Sequence, residues 1–116
     1  MKNLIMSFFL ISITAMAAVP GQTARFPQFA NKDVDVWKTV IEPGQALTMH
    51  RFNHSYILVP LTDVKLKVTN KKGVVTHVEW KKGTAYSMPA DKAGEFHTDH
   101  NEGSTTMEMM VIQMKK

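Results

Sequence analysis

The sequence predicts a small all-β protein, and three observations support this fold class. Beyond residue 18, predicted strands recur about every eight to twelve residues. Apolar and polar side chains alternate along them, most clearly over residues 64–69, which read Val-Lys-Leu-Lys-Val-Thr. Turn-forming residues separate the strands, as in Asn-Lys-Lys-Gly at residues 70–73. Because this part of the chain shows no sustained helical spacing, the pattern indicates a β-sandwich or β-barrel.

Length and composition narrow the possible functions. The chain has 116 residues, the length of one domain. It contains no cysteine, which excludes disulfides, thiolate metal sites and a thiol nucleophile. The net charge of +4 is modest, and the lysines lie at strand edges and turns without interleaved aromatic residues. We therefore expect no nucleic-acid partner.

Residues 1–18 have the pattern of a secretory signal peptide. A lysine precedes an apolar run, which ends in Ala-Met-Ala-Ala at residues 15–18. The run is shorter than the roughly 20 residues that a membrane-spanning helix needs. We expect cleavage after Ala17 or Ala18, a secreted or periplasmic protein, and no stable membrane anchor after cleavage. An uncleaved anchor or a buried helix is the alternative.

The rest of the chain divides into an arm and a domain. Residues 19–32 contain Pro20, Gly21 and Pro27 and show no sustained period, so we expect a flexible N-terminal arm. Residues 33–116 form the predicted β-barrel domain. Its predicted strands cover residues 34–40, 46–50, 55–60, 64–69, 74–80, 84–88 and 105–114.

Turn residues and proline delimit the first three strands. Residues 34–40 end before the Glu-Pro-Gly-Gln turn at 42–45, and residues 46–50 follow as a short strand. Residues 55–60 are an apolar run that Pro60 closes.

A hairpin and two further strands complete the domain. Residues 64–69 and 74–80 alternate on either side of the 70–73 turn, residues 84–88 end at a proline, and residues 105–114 form the long last strand. We expect the interior to be lined by Val36, Val59, Leu66, Val68 and one face of residues 107–114.

Glycine, proline and histidine recur at a defined spacing in the second half of the domain. Gly83 is followed after five residues by Pro89. Gly94 is followed after two residues by His97, and after three more by Asn101. These spacings resemble the second sequence motif of the cupin superfamily. The resemblance implies a cupin-type double-stranded β-helix, also called a jelly-roll barrel.

The resemblance covers residues 37–116 and is incomplete in two places. Residues 90–93 separate the halves of the second motif, where the cupin pattern has a single residue. The first motif has a glycine, five residues, His-x-His, then a glutamate and a glycine. Gly44 and His50 fit it, whereas Phe52 takes the position of the second histidine.

The glutamate position of the first motif is also lost, because it falls at Tyr56 or Ile57. Neither side chain is a carboxylate, so this position supplies no carboxylate ligand.

The resemblance implies a metal site, because cupins hold a metal with three imidazoles and a carboxylate. His50 and His97 match two of the ligand positions. With His54 and His100 as further candidates, the four histidines are a candidate site for one divalent transition metal ion. An extended strand would separate His50 from His54 by about 13 Å, so only a turn at Asn53 would bring them together.

Loss of two ligand positions favours a non-catalytic small-ligand-binding module with a degenerate metal site. We expect the barrel mouth, with His50, Phe52, Tyr56 and His97, to bind a small molecule of unknown identity. The alternative is a metal-dependent enzyme of the oxygenase or isomerase type, using His50, His97 and a third histidine. The sequence leaves open whether the protein is an enzyme. The resemblance also implies a homodimer.

Methionines raise a second alternative, periplasmic copper binding through Met and His. Met107, Met109, Met110 and Met114 lie on the last predicted strand, and Met49 precedes a histidine. Strand alternation places the first two on one face and the next two on the other, which argues against one four-methionine site.

Three acidic residues near the second motif are candidate general bases. Glu95, Asp99 and Glu102 lie in what reads as a polar loop beside His97. Nothing in their spacing singles one out.

Overall fold

This computed structural model describes residues 22–116, which contain eight β-strands joined by turns and loops. In chain order they are β1 (Ala24–Ala30), β2 (Val34–Ile41), β3 (Tyr56–Pro60), β4 (Val64–Asn70), β5 (Val75–Trp80), β6 (Tyr86–Met88), β7 (His97–Asn101) and β8 (Met107–Met114). The predicted signal peptide and its cleavage site lie outside these residues. The described residues contain no helix with the length and hydrophobicity that a membrane crossing requires.

The strands form two sheets in which every neighbouring pair is antiparallel. One sheet has five strands in the order β1-β2-β8-β3-β6, and the other has three in the order β5-β4-β7. The predicted all-β fold class is therefore confirmed.

The hydrophobic core lies between the two sheets. Alternate residues of β8 (Met107, Met109 and Val111) face it and are only 2–3% exposed. Val64 and Leu66 face it from β4 of the other sheet. Burial of apolar side chains from both sheets against one another is the main force that holds such a sandwich together.

Two residues expected in the interior lie on the opposite face of the five-stranded sheet. Val36 pairs with Ile112 and Val59 with Met110, whereas Trp37, next to Val36, packs against the core. Because side chains alternate along a strand, a shift of one residue exchanges the two faces. Both faces of this sheet carry apolar residues, so the sequence pattern alone did not distinguish them.

The structure differs from the expected flexible arm at β1. Residues Ala24–Ala30 form an edge strand that pairs with β2, and the register shifts between Pro27 and Phe29. Most of this strand is exposed. A proline, a β-bulge and a mainly exposed surface remove the alternation by which a strand is recognised in a sequence.

Candidate functional site

A cavity of about 270 Å³ lies between the two sheets and is partly open to solvent. Much of its wall is apolar and comes from both sheets, including Leu58, Leu66, Val78, Met109 and Val111. Its polar lining includes Arg25, His50, Tyr56, Asp91, His97 and Asp99. The cavity therefore combines an apolar interior with a compact group of titratable side chains.

Strand pairing brings three of these side chains together. His97 and Asp99 are two residues apart on β7 and so lie on the same face of the sheet. His50 and His97 form an isolated antiparallel bridge, with both backbone N–H···O distances at 2.9 Å. Residues directly opposite each other in an antiparallel pair share a face. His50, His97 and Asp99 must therefore cluster.

The segment before His50 is not a continuous strand, because it contains one extra residue relative to the part of β7 that it faces. Leu47 donates its backbone N–H to Asp99, and His50 pairs with His97. The chain thus advances three residues, from 47 to 50, while β7 advances two, from 99 to 97. One extra residue of this kind is a β-bulge, a device that re-aims side chains near functional sites.

Asp99 lies between the two imidazoles. Its Oδ1 is 3.0 Å from Nδ1 of His97, and its Oδ2 is 3.3 Å from Nε2 of His50. Burial by itself raises the pKa of Asp99, but the attraction of the two imidazoles outweighs it. The net effect holds the pKa of Asp99 well below its usual range, so this carboxylate stays ionised at neutral pH.

Asp91 contacts His97 from the other side of the ring. Its Oδ2 is 3.2 Å from Nε2 of His97 and accepts the backbone N–H of Phe52 at 2.8 Å. Both ring nitrogens of His97 therefore face carboxylates. The hydrogen bond to Asp99, helped by the charges of both aspartates, raises the pKa of His97 despite the opposing effect of burial.

His50 turns its Nε2 atom toward the same cluster. Its Nδ1 is 2.8 Å from the carbonyl oxygen of Thr48, so Nδ1 carries the hydrogen of that bond. In the neutral ring, Nε2 is then an acceptor, yet it is buried, lacks a hydrogen-bond partner and faces the Asp99 carboxylate. Two facing acceptors need a proton or a cation between them.

The donor set fits a divalent transition metal ion. Single ligand atoms of His50, His97 and Asp99 lie within 4.8 Å of one another. Two imidazoles and one carboxylate are a common ligand set for such metals. The backbone hydrogen bond of His50 Nδ1 also matches the support that metal-binding histidines usually have. Metal binding would require His97 to release its extra proton.

Aromatic side chains form the wall beside the cluster. Phe52 stacks on Tyr56 with ring centroids 3.9 Å apart. The rings of His50 and Phe52 are nearly perpendicular, with their centroids 5.7 Å apart. Burial, assisted by the nearby charges of Asp91 and Asp99, raises the pKa of the Tyr56 hydroxyl far above its usual range. The hydroxyl is therefore a neutral hydrogen-bond donor at the cavity.

The four candidate ligand-binding residues, His50, Phe52, Tyr56 and His97, all line this one cavity. His54 and His100, the other two histidines considered as metal ligands, are not part of the three-residue cluster. His100 lies on β7 an odd number of residues from His97, so its ring is on the outer face, where Nε2 is 3.1 Å from the carbonyl oxygen of Gly44.

The methionines of the last strand do not converge. Met107 and Met109 are buried in the core, whereas Met110 pairs with Lys38 on the opposite face of the sheet. Met49 is 45% exposed. The structure therefore brings together no four-methionine site of the kind considered for copper among the described residues.

Comparison with solved structures identifies the fold. A cupin domain from Bordetella pertussis Tohama I superposes with a TM-score of 0.72 at 24% identity, over 81% of this chain and 94% of that one. An RmlC-like cupin family protein with a double-stranded β-helix fold, from Methanocaldococcus jannaschii, gives 0.61 at 15% identity, over 80% of each chain. This chain has the cupin fold. No family model and no curated protein sequence matches it.

The same fold also occurs in an enzyme. The polyketide cyclase RemF from Streptomyces resistomycificus superposes with a TM-score of 0.52 at 15% identity, over 75% of this chain and 58% of that one. At such identities the similarity shows the fold alone, because one fold hosts many functions.

The residues that resemble the cupin motifs have structural roles. Gly44, Gly83 and Gly94 all adopt positive φ angles, between 75° and 80°. These angles are strained for residues with a Cβ atom. Asn101 is 1% exposed, and its side chain bonds backbone groups of Ile41 on β2 and of Gly103 and Thr105 in the β7–β8 loop. Of the second motif, only His97 contributes to the polar cluster.

Of the two carboxylates of the site, Asp91 was not identified from the sequence, and Asp99 was only one of three candidates beside His97. Asp91 lies within the residues 90–93 that interrupt the second motif, so these extra residues supply a partner for His97. Asp99 was placed in a polar loop, but it lies on β7. The spacing His-x-Asp was the available signal, because a strand places both side chains on one face.

Proposed function

We propose that this is an exported, non-catalytic protein that binds a small molecule in the cavity of its cupin barrel. The observation that carries the proposal is the cavity itself, which is enclosed by both sheets and combines an apolar wall with a few polar groups. Ligand sites in proteins typically have this composition. At about 270 Å³ the cavity suits a compact ligand rather than a polymer.

Phe52 supports binding rather than catalysis. It occupies the position of a metal-ligating histidine in the cupin motif, is 6% exposed and stacks on Tyr56. Its ring can contact an apolar ligand but can neither hold a metal nor transfer a proton. The remaining polar groups are held by one another, as in a preformed recognition site.

Filling the cavity tests this proposal. Val68 lines the cavity and is only half-buried, so a Val68→Trp side chain would occupy the space near its opening. The matched control is Lys65→Trp, which adds the same ring to the exposed outer face of β4. A library of small metabolites would be screened by thermal shift against the purified wild-type protein and both variants.

We expect some compounds to raise the melting temperature of the wild-type protein and of Lys65→Trp, but not of Val68→Trp. The proposal fails if no compound stabilises the wild-type protein, or if the stabilising compounds act equally on Val68→Trp.

The second candidate function is a metal-dependent enzyme, and the buried, unpartnered Nε2 of His50 favours it. That buried nitrogen faces Asp99 without a hydrogen bond, as a metal ligand does before its ion binds. A bound divalent metal would act as a Lewis acid beside the cavity. Arg25, Tyr56 and Asp91 would then hold and orient the substrate.

Metal content distinguishes the two candidates. The protein would be purified without a histidine tag or chelator, and its metals measured by elemental mass spectrometry. A metal site predicts near-stoichiometric metal in the wild-type protein and loss in His50→Ala and Asp99→Asn. His100→Ala is the control, because it removes an imidazole from the other face of β7. No bound metal, even after exposure to iron, manganese, nickel, zinc and copper, rejects the enzyme candidate.

Export and a homodimer complete the proposal. Export is supported by the signal-peptide pattern of residues 1–18 alone. N-terminal sequencing of protein produced with its full leader should give a first residue of Ala18 or Val19, and an intact N-terminus would reject export by cleavage. Light scattering should give twice the monomer mass, and a monomer mass would reject the dimer.

A further inference from the structure

Arg25 places a positive charge on the wall of the cavity. It lies on β1 opposite Thr39, which itself pairs with Met109, so all three residues share the inner face of the sheet. Its guanidinium carbon is 4.8 Å from the ring centroid of Trp37 and 5.3 Å from that of Phe52. The residue therefore reaches the cavity although its strand is at the edge of the sheet.

Arg25 makes no ion pair and no side-chain hydrogen bond with any residue in the range 22–116. A cation–π contact with an aromatic ring does not use the five N–H donors of a guanidinium in hydrogen bonds. Burial lowers the pKa of Arg25, since it disfavours the charged form. An arginine nevertheless keeps its charge at neutral pH. The structure thus holds a cation with unused donors beside an apolar cavity.

The Tyr56 hydroxyl is a further donor that lines the same cavity. The Tyr56 hydroxyl makes no hydrogen bond within the described part of the chain, and it lies close enough to Arg25, Asp91 and Asp99 to be affected by their charges. An acceptor at this end of the cavity would meet several donors.

We propose that the ligand is a small monocarboxylic acid, bound as its carboxylate to Arg25 and Tyr56, with its apolar body in the cavity. This inference rests on the proposed binding function and names the class of ligand. Guanidinium groups bind carboxylates through two parallel hydrogen bonds. The apolar wall formed by Leu58, Leu66 and Val111 accommodates a short alkyl or aromatic group.

The charges around the site favour one negative charge over two. Asp91 and Asp99 lie at the same end of the cavity and are both paired with His97. A phosphate dianion would be repelled by these two carboxylates, whereas a monoanion can pair with Arg25 alone. A ligand without charge would make no ion pair with Arg25, whose side chain remains partly exposed to water at the edge of the sheet.

Matched pairs of carboxylate and amide test the inference. The probes are butanoate, hexanoate and benzoate, each compared with its uncharged primary amide, and binding is measured by calorimetry on the purified protein. The variants are Arg25→Gln, which removes the charge, and Arg25→Lys, which keeps it. Lys38→Gln is the control, because it removes one positive charge from the outer face of the same sheet.

We expect at least one carboxylate to bind the wild-type protein at least ten-fold more tightly than its amide. Arg25→Gln should weaken that carboxylate about ten- to hundred-fold, the usual effect of a hydrogen bond to a charged group, and leave its amide unchanged. Arg25→Lys should recover part of the loss, and Lys38→Gln should change neither. Unchanged amide binding also shows that Arg25→Gln is folded.

Three results would overturn the inference. These are no binding by any of the three carboxylates, equal binding of carboxylate and amide, or equal carboxylate affinity in Arg25→Gln. Displacement of the carboxylate by equimolar inorganic phosphate would assign the site to a different anion. The metabolite screen distinguishes failure of the carboxylate inference from failure of the proposed function. Compounds that stabilise the wild-type protein but not Val68→Trp would still show that the cavity binds a ligand.

Discussion

Asp99 is the residue on which the polar end of the cavity depends. It is 15% exposed and contacts His97 and His50 through different oxygens. A buried carboxylate is costly unless positive or hydrogen-bonding groups surround it. The His97 ring forms a hydrogen bond with one oxygen of Asp99, and Asp91 holds His97 from the opposite side. A ligand or metal would therefore enter a network in which each group already constrains its neighbours.

This network predicts a pH optimum for the stability of the metal-free protein. Folding lowers the pKa of Asp99, so its stabilisation is complete above the ordinary value of about 3.9 and is lost progressively below it. Folding raises the pKa of His97, so its stabilisation is complete below about 6.5 and is lost as the pH rises above that value. The free energy of unfolding should be highest between these limits.

Urea unfolding at pH 5 and pH 8 checks the alkaline side of this optimum. The wild-type protein and His100→Ala should lose stability between the two pH values, and His97→Asn should lose much less. An equal loss in His97→Asn would show that His97 is not the group responsible.

Asn101 stabilises the loop that leads from β7 into β8. Its amide donates to the carbonyl oxygens of Ile41 at 2.8 Å and Thr105 at 2.9 Å, and its oxygen accepts the N–H of Gly103 at 2.7 Å. Asn101→Ala leaves all three backbone groups without this partner, so we expect a loss of about 2–4 kcal/mol in unfolding free energy. Thr98→Ala, on the outer face of β7, should cost much less. Similar losses would contradict this role.

At the scale of elements, the sequence predicted the strands whose two faces differ clearly. The hairpin of β4 and β5 shows the alternation and the Asn-Lys-Lys-Gly turn that were expected. β7 was missed because its inward residues, His97, Asp99 and Asn101, are all polar, so its pattern resembles a loop. A strand that lines a site exchanges apolar residues for functional ones, which removes the signal by which strands are found.

The candidate site was predictable only where a motif marked it. His50 and His97 stood at motif positions, and pairing of their strand segments brings them together. Arg25 and Asp91 had no such marker, because the register of β1 and the path of the 90–93 loop depend on contacts distant in sequence. Long-range pairing of this kind cannot be inferred from local spacing.

The β4–β5 hairpin allows a test of turn geometry. Gly73 has a φ of 86°, and an added Cβ would meet no atom within 4 Å. The cost of Gly73→Ala is therefore backbone strain without a clash, about 1 kcal/mol. Chemical denaturation should show this loss for Gly73→Ala and little change for Lys72→Ala. Unchanged or increased stability in Gly73→Ala would mean that the turn adopts another conformation.

At the scale of the whole molecule, the two sheets enclose a cavity instead of a fully packed core. β8 contributes Met109 and Val111 to its wall, and β4 contributes Leu66 and Val68 from the other sheet. Protein interiors are normally close-packed, so space of this size is usually kept for a ligand. The polar cluster lies at the point where the irregular segment before His50 meets β7.

Mapping of bound ligand by NMR tests the central claim most directly. The protein would be labelled with nitrogen-15 and titrated with the compound that stabilises it most in the thermal-shift screen. We predict that backbone amide shifts change around the cavity, at His50, Phe52 and His97 and at the inward-facing residues of β4 and β8. Changes confined to the outer face of the five-stranded sheet, around Ile57 and Ile112, would contradict a binding site inside the barrel.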